Sequence, residues 1–251
     1  MESCIRRDKK YRSNMRGVLW AVSILLVCSL AGCMYPEKEK AGSSYRGSVM
    51  RVQAAVDDYQ QKEGLLPILN ADEATPKYEK FLIDLEKLQQ AGYLDEIPAA
   101  AFEKGGSAYF LILDEESDPA VKMMDLVTVQ KVNDVQRLIN RYKSAHGGSL
   151  PAEEEIYPGL FAINARQAGT DSITLNSIYS GQPLPFFMDK NGTVYVDYGV
   201  DIQSAIHQNS APPKVNTDLR LLLEQASYYV PVKSLPYFWV DGMPVPQSPL
   251  L

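Results

Sequence analysis

The chain has 251 residues, a formal net charge of −6, 45% hydrophobic residues and 22% charged residues. This apolar content is sufficient for a sizeable core, and it excludes a wholly disordered chain, a disulfide-rich scaffold and a multi-span membrane protein. The acidic balance also disfavours nucleic-acid binding, because a negatively charged body repels phosphate groups.

The N-terminal segment combines a basic start with a short apolar run. Residues 1–16 carry a formal charge of +4, residues 17–32 carry none, and residues 33–251 carry −10. The apolar run is sixteen residues long, which is fewer than the roughly 20 residues of a membrane-spanning helix. This pattern is typical of a Sec signal peptide, and a short transmembrane anchor is the alternative.

The apolar run ends in Leu30, Ala31, Gly32 and Cys33, a motif that resembles the lipobox of bacterial lipoproteins. In that family the cysteine thiolate gains a diacylglyceryl group, and a dedicated peptidase cuts just before it. The resemblance implies that residues 1–32 are a lipoprotein signal peptide and that Cys33 is the lipidation site. It also implies a lipid anchor in the cell membrane, with the body facing the extracytoplasmic side.

The residues around the lipobox agree with this interpretation. Cys4 and Cys28 precede the cut, so the mature body has no thiol for a disulfide, a nucleophile or a zinc site. Residues 33–45 contain Pro, Gly, Ser and charges without an apolar period, which predicts a tether. The layout, with CMYPEKE after the lipobox, resembles uncharacterised Bacillus-type lipoproteins such as YphF, and that resemblance implies a location but no activity.

The remaining sequence contains a weak internal repeat. Residues 48–67 align with residues 131–151, and both copies carry apolar residues at helical spacing before a Gly that can close the last turn. The alternative is that two amphipathic helices resemble each other by composition alone. The matched pairs are Val49 with Val132, Val52 with Val135, Gln53 with Gln136, Tyr59 with Tyr142 and Gly64 with Gly147.

Each copy continues towards a β-hairpin, so the predicted fold is α+β, with amphipathic helices packed on short antiparallel hairpins. The clearest hairpin signal is Asn191-Gly192 between two apolar strands, because both turn residues need positive φ. The apolar residues Phe81, Leu82, Leu85 and Leu88 mark a second helix, which is predicted to end at Gly92. The predicted units are residues 46–118 for the first repeat, 119–200 for the second, and 201–251 for a C-terminal helix and Pro-rich tail packed on the body.

A second resemblance concerns the first repeat. The order helix, Leu66-Pro67, second helix, Gly92-Tyr93-Leu94, Ile97-Pro98 and hairpin resembles the globular heads of type II secretion pseudopilins. The chain lacks the long N-terminal filament helix of that family. The resemblance therefore implies a fold and not a function.

Candidate catalytic residues are few. The two histidines, His146 and His207, lie at the ends of predicted helices, where an imidazolium favours the helix dipole. The acidic runs 114–116 and 153–155 suggest acid–base pairs or a cation site, but adjacent charges of this kind are typical of a solvated loop.

Asp189, Asn191 and Asp197 suggest a calcium loop. The Gly falls at the fourth position of this segment instead of the sixth position that an EF-hand loop requires, so a hairpin turn is the better interpretation. We therefore predict no catalytic residues, no metal site and no cofactor.

The resulting hypothesis is a non-enzymatic scaffold or protein-interaction module of the cell envelope, held at the membrane by its lipid and bound to another envelope protein. A receptor for a small ligand or peptide is an alternative, which requires a deep cleft between the units. An enzyme acting on cell wall or lipid is a further alternative, which requires a deep pocket with a histidine beside a carboxylate.

Overall fold

The computed structural model describes residues 37–208 and 216–247, which contain six α-helices and eight short strands. The predicted α+β class is confirmed, and residues 45–251 form one compact unit. The helices are α1 (Glu37–Glu63), α2 (Leu85–Gln90), α3 (Leu126–Ala145), α4 (Ala165–Ala168), α5 (Gly199–Gln208) and α6 (Arg220–Ala226).

The strands form three antiparallel sheets. The middle sheet has four strands in the order β3-β4-β5-β6, and two hairpins, β1-β2 and β7-β8, form the other sheets. The strands are β1 (Ala108–Leu113), β2 (Ala120–Asp125), β3 (Ala152–Tyr157), β4 (Leu160–Ile163), β5 (Phe186–Asp189), β6 (Val194–Val196), β7 (Tyr237–Val240) and β8 (Met243–Pro246).

Helix α1 buries the face that its apolar spacing predicts. Its apolar residues, Val49, Val52, Val56 and Tyr59, are each at most 6% exposed. After the helix, Gly64 has a φ of +70°, and its N–H closes the last turn on the carbonyl of Gln60.

Helix α1 begins at Glu37, so it includes most of the segment 33–45 that the sequence predicts as a tether. The charges and the absence of an apolar period favour a linker in that segment. However, Glu, Lys and Ala are also among the best helix formers. A helix that is already packed over residues 48–63 can therefore continue backwards through them.

Helix α3 repeats the arrangement of α1 with one difference. Its core residues Val132, Val135 and Ile139 are buried, and the Asp125 carboxylate caps its first turn. Tyr142 is half-buried, whereas its counterpart in α1 is buried. The equivalence predicted for the two copies therefore holds for the aliphatic positions and only in part for the tyrosines.

The two repeated glutamines make the same contacts. In each copy the side-chain amide bridges two backbone groups at the start of the returning hairpin strand, β2 or β6, and so fixes that strand against the helix. The bonds are Val121 N–H to Gln53 Oε1 (2.7 Å), Gln53 Nε2 to Pro119 O (2.9 Å), Val194 N–H to Gln136 Oε1 (2.8 Å) and Gln136 Nε2 to Gly192 O (2.8 Å).

A second pair of matched contacts follows each Leu-Pro sequence. The N–H of Asp84 donates to the carbonyl of Pro67, and the N–H of Asn164 donates to the carbonyl of Pro151, both at 2.8 Å. The Asp84 and Asn164 side chains then cap the short helices α2 and α4. The two segments thus repeat one local arrangement, in agreement with the repeat in the sequence.

The hairpin β1-β2 crosses the unit boundary that the sequence predicts after residue 118, because β2 pairs with all six residues of β1. The bounds of the two repeat units remain predictions. Strand β2 is not predicted from the sequence, because its last three residues are all buried and so lack the alternation of buried and exposed residues that marks a half-buried strand. The second predicted helix begins later than the sequence predicts, because Leu82 pairs with Leu111 and α2 begins only at Leu85. Its end agrees with the prediction, since α2 ends at Gln90 and Gly92 follows with a φ of +79°.

The C-terminal segment joins the two halves through residues 228–233, which we call the strap. The strap runs beside β2, where Met123 N–H donates to the Tyr228 carbonyl and Val230 N–H donates back to Met123. It then reaches β6, where Val196 N–H donates to the Lys233 carbonyl. The four hydrophobic clusters of the described residues each include a side chain from the C-terminal segment, namely Leu219, Leu223, Tyr229, Val230, Val232, Leu235 and Tyr237.

We expect Gln53→Ala and Gln136→Ala each to lower the free energy of unfolding by about 2 kcal/mol, because each change removes the partner of two backbone groups. Urea unfolding measures this difference. Gln61→Ala, at an exposed position of α1, is the matched control and should change stability by less than about 0.5 kcal/mol. An effect of Gln136→Ala no larger than that of the control would contradict the shared role.

Candidate functional site

The predicted anchor lies outside the described residues. This applies to the lipobox residues Leu30, Ala31 and Gly32, to Cys33 and to the signal peptide 1–32. Across 37–208 and 216–247, no helix combines the length and the apolar character that crossing a membrane requires. The lipid attachment and the Sec signal therefore remain predictions.

Both histidines lie at helix ends, as the sequence predicts, and both are exposed. His146 follows α3, and its ring stacks on Tyr142 with the ring centroids 3.8 Å apart. His207 is in the last turn of α5, with its Nε2 2.9 Å from the amide nitrogen of Gln203. In the described part of the chain neither histidine forms an ion pair with a carboxylate.

The two acidic runs lie in different elements. Residues 114–116 form the turn between β1 and β2, where Asp114 has a φ of +53° and its carbonyl accepts the N–H of Ser117 and Asp118. Residues 153–155 lie on β3. Among the described residues, no three or more His, Cys, Asp or Glu side chains are grouped as a metal site requires.

The segment with the calcium-like spacing is a hairpin turn. Asp189 Oδ1 accepts the N–H of Asn191 at 2.8 Å and the N–H of Thr193 at 2.9 Å. Gly192 has a φ of +86°, and its N–H donates to the Asp189 carbonyl. The carboxylate therefore stabilises the predicted β5-β6 hairpin through the backbone. However, only Gly192 of the Asn-Gly pair has a positive φ, so the predicted turn with two positive-φ residues does not form.

Asp197 belongs to a separate network of two tyrosines. Its carboxylate accepts the hydroxyl of Tyr157 at 3.0 Å, the hydroxyl of Tyr237 at 2.8 Å and the N–H of Gly199 at 2.8 Å. Burial raises the pKa of both phenols well above the usual value, and the neighbouring carboxylate adds to the rise. Both hydroxyls therefore stay protonated donors, and the network fixes the start of α5.

The acidic run on β3 forms an open edge of the four-stranded sheet. Strand β3 has a neighbour on one side only, and its residues 152–156 are all exposed. The opposite edge, β6, is covered by Gln136 and by the strap. Within β3, Glu155 accepts the N–H of Gly159 at 2.6 Å, whereas Glu153 and Glu154 extend the negative charge along the edge.

A buried carboxylate that sequence reasoning missed lies on α5. Asp201 is 3% exposed, and one oxygen, Oδ2, accepts the hydroxyl of Ser177 at 2.7 Å. The other oxygen, Oδ1, is buried and has no hydrogen-bond partner among the described residues. The only signal in the sequence is an acidic residue beside the apolar Ile202, which does not reveal what packs over the helix.

A family model described as the YphF family N-terminal domain matches residues 45–125. The matched segment begins where the compact body begins, at Tyr45, and ends at Asp125, the last residue of β2. No curated protein and no solved structure matches the chain. The resemblance to pseudopilin heads therefore remains a prediction.

We expect Asp197→Ala to lower the free energy of unfolding by about 3 kcal/mol, because the hydroxyls of the half-buried Tyr157 and the buried Tyr237 lose a charged acceptor and α5 loses its cap. Thermal or urea unfolding measures the loss. Tyr157→Phe removes only one of the three bonds and should cost about 1 kcal/mol. Equal stability of Asp197→Ala and the wild type would show that the network does not fix the helix.

Proposed function

We propose that this chain is a lipid-anchored lipoprotein of the extracytoplasmic membrane face, and that its body is a non-enzymatic protein-interaction module. The basic start, the short apolar run and the lipobox support the anchor. The proposed interaction depends on one observation, the exposed acidic edge of β3.

An open strand edge presents unpaired N–H and C=O groups that can pair with an added strand. In this body one edge of the four-stranded sheet is covered and the other is open. Glu153 and Glu154 add negative charge to the open edge, which opposes pairing between two copies of β3 and favours a Lys- or Arg-rich strand. The proposed partner is therefore an extended basic segment of another envelope protein.

Small-ligand binding is a second candidate function. It is favoured by a cavity of about 320 Å³ whose wall includes Asp201. The lining residues come from α5, α6 and the segment before β5, so this cavity lies within the second half and not between the two repeats. It is a different site from the acidic edge.

The anchor is tested by Cys33→Ser. The hydroxyl cannot replace the thiolate as the lipid acceptor, so we expect lipid attachment and the lipoprotein-specific cut to be abolished while Sec export continues. Lipid labelling and mass spectrometry of the N-terminal peptide measure both. The folded body should keep its thermal stability, because Cys33 precedes it. An unlipidated wild-type peptide that begins upstream of Cys33 and stays with membranes would instead indicate a transmembrane anchor.

The acidic edge is tested with a six-residue peptide, as long as β3, that alternates Lys and Thr and carries a fluorescent label. We expect it to bind the full chain in phosphatidylcholine nanodiscs. The peptide that alternates Glu and Thr should bind at least about tenfold more weakly, since like charges at an edge repel. Methylating the backbone nitrogens of the Lys peptide should also weaken its binding, because pairing with β3 needs N–H donors. Fluorescence polarisation measures the affinities.

The matched variants separate local charge from net charge. The double variant Glu153→Gln/Glu154→Gln should bind the Lys peptide about fivefold more weakly than the wild type. The double variant Glu115→Gln/Glu116→Gln makes the same charge change in the β1-β2 turn and should leave the affinity for the Lys peptide unchanged. Equal binding of the two peptides, or no effect of backbone methylation, would mean that the charges on β3 serve only to prevent edge pairing.

A further inference from the structure

A groove lies between helix α1 and the turn that joins β1 to β2. Helix α1 contributes Asp57, Gln60 and Gln61 to its wall, and the turn contributes Asp118. Asp57, Gln61 and Asp118 are exposed, so an approaching ligand can reach them. The volume of this space, which we call the α1 groove, is about 640 Å³, within the range of known ligand sites.

The second repeat provides an internal comparison for the α1 groove. In each copy the repeated glutamine donates to a carbonyl of the hairpin turn, Pro119 in the first copy and Gly192 in the second. The residues just before them, Asp118 and Asn191, therefore occupy matched positions of the two turns.

The matched positions of the two helices follow from the sequence alignment. The register that pairs the repeated glutamines also pairs Asp57 with Asn140 and Gln60 with Lys143. The structure agrees at the first of these pairs, because Asp57 and Asn140 each accept the side-chain amide of the glutamine four residues earlier, at 2.8 Å and 3.0 Å.

In the second copy a lysine bridges the helix and the turn. Lys143 Nζ donates to the Asn191 carbonyl at 3.0 Å. In the first copy the matched residue is Gln60, and the space between the helix and the turn is the α1 groove. At this position the first copy thus carries an amide where the second carries an ammonium.

The charges at the matched positions differ in the same direction. Asp57, Gln60 and Asp118 together carry a formal charge of −2, whereas their three counterparts in the second copy carry +1. Among the ion pairs of the described residues, none includes Asp57 or Asp118. The α1 groove is therefore an anionic counterpart of a space that a lysine fills in the second copy.

We infer that the α1 groove binds a lysine side chain of a partner protein, and that its ammonium takes the place that Lys143 Nζ has in the second copy. The ammonium contacts the turn at Asp118, and the Asp57 carboxylate supplies a second negative charge. A metal ion is a poorer match, because no three or more His, Cys, Asp or Glu side chains of the described residues are grouped to hold one. The groove is on the first repeat and is separate from the acidic edge of β3.

A blocked tripeptide, acetyl-Pro-Lys-Pro-amide, tests the inference, because its two prolines lack the N–H groups that pairing with β3 needs. Saturation-transfer NMR titration with the full chain in phosphatidylcholine nanodiscs, with empty nanodiscs as the blank, measures its affinity. We expect saturable binding through the lysine side chain. The Nε-acetylated tripeptide keeps the aliphatic stem and loses the charge, so it should bind at least about fivefold more weakly.

Gln60→Lys introduces into the α1 groove the residue that the second copy has. The new ammonium should occupy the site and weaken the lysine tripeptide by at least about fivefold, since a tethered group competes at high effective concentration. Gln130→Lys makes the same exchange at an exposed position of α3 and should leave the affinity unchanged. The melting temperature of each variant, measured without peptide, reports on folding separately.

The double variant Asp57→Asn/Asp118→Asn provides a second test, because it introduces the two amides that the second copy has at these positions. It should also weaken the lysine tripeptide by at least about fivefold. Glu153→Gln/Glu154→Gln makes the same charge change on β3 and should leave this affinity unchanged, so the test is independent of the proposed docking edge.

Three outcomes would each overturn the inference. They are equal affinities for the lysine and acetyl-lysine tripeptides, no saturable binding by the wild type, and full binding by a folded Gln60→Lys or Asp57→Asn/Asp118→Asn variant. An equal loss of affinity in Glu153→Gln/Glu154→Gln would likewise overturn it, because the tripeptide would then respond to the net charge of the body and not to the α1 groove.

Discussion

The strap holds the body together because each repeated half has one strand edge whose backbone N–H and C=O groups find no partner within that half. Met123 on β2 and Val196 on β6 both face the strap with backbone groups, and residues 228–233 pair with both. Two tyrosine hydroxyls, from Tyr179 and Tyr198, donate to further strap carbonyls. Unpaired backbone groups inside a body are costly, so the two halves and the C-terminal segment are stable as one unit.

Charged contacts reinforce the same connection. Lys122 donates to the carbonyls of Glu224 and Ser227 just before the strap, and burial lowers its pKa against the opposing attraction of Glu224. Lys233, at the end of the strap, pairs with Glu79 of the first half at 2.7 Å. Because the strap covers β2 and β6, the edge of the four-stranded sheet that stays open is β3. The proposed docking edge is therefore a consequence of where the C-terminal segment binds.

The repeat shows what local sequence can and cannot specify. Gln53 and Gln136 are matched by simple alignment, and their matched contacts with the hairpins follow the same pattern. The tyrosines that align equally well do not have the same setting, because Tyr59 packs against Tyr93 of its own half whereas Tyr142 packs against a histidine on the surface. When the same residue occurs at matched positions of the two copies, its side-chain hydrogen bonds to the backbone are thus easier to predict than its burial. The burial of a side chain depends on which other elements cover the helix.

The sequence by itself determined the amphipathic helices, the Asn-Gly hairpin and the α+β class, since each depends on residues close together in the chain. It also identified the acidic run 153–155 but not its place on an open sheet edge. Only the tertiary structure decided which strand lies at the edge, which segment joins the halves and that Asp201 is buried beside a cavity. These features depend on contacts between residues that are far apart in the sequence, such as Tyr229 with Met123, and no local periodicity encodes them.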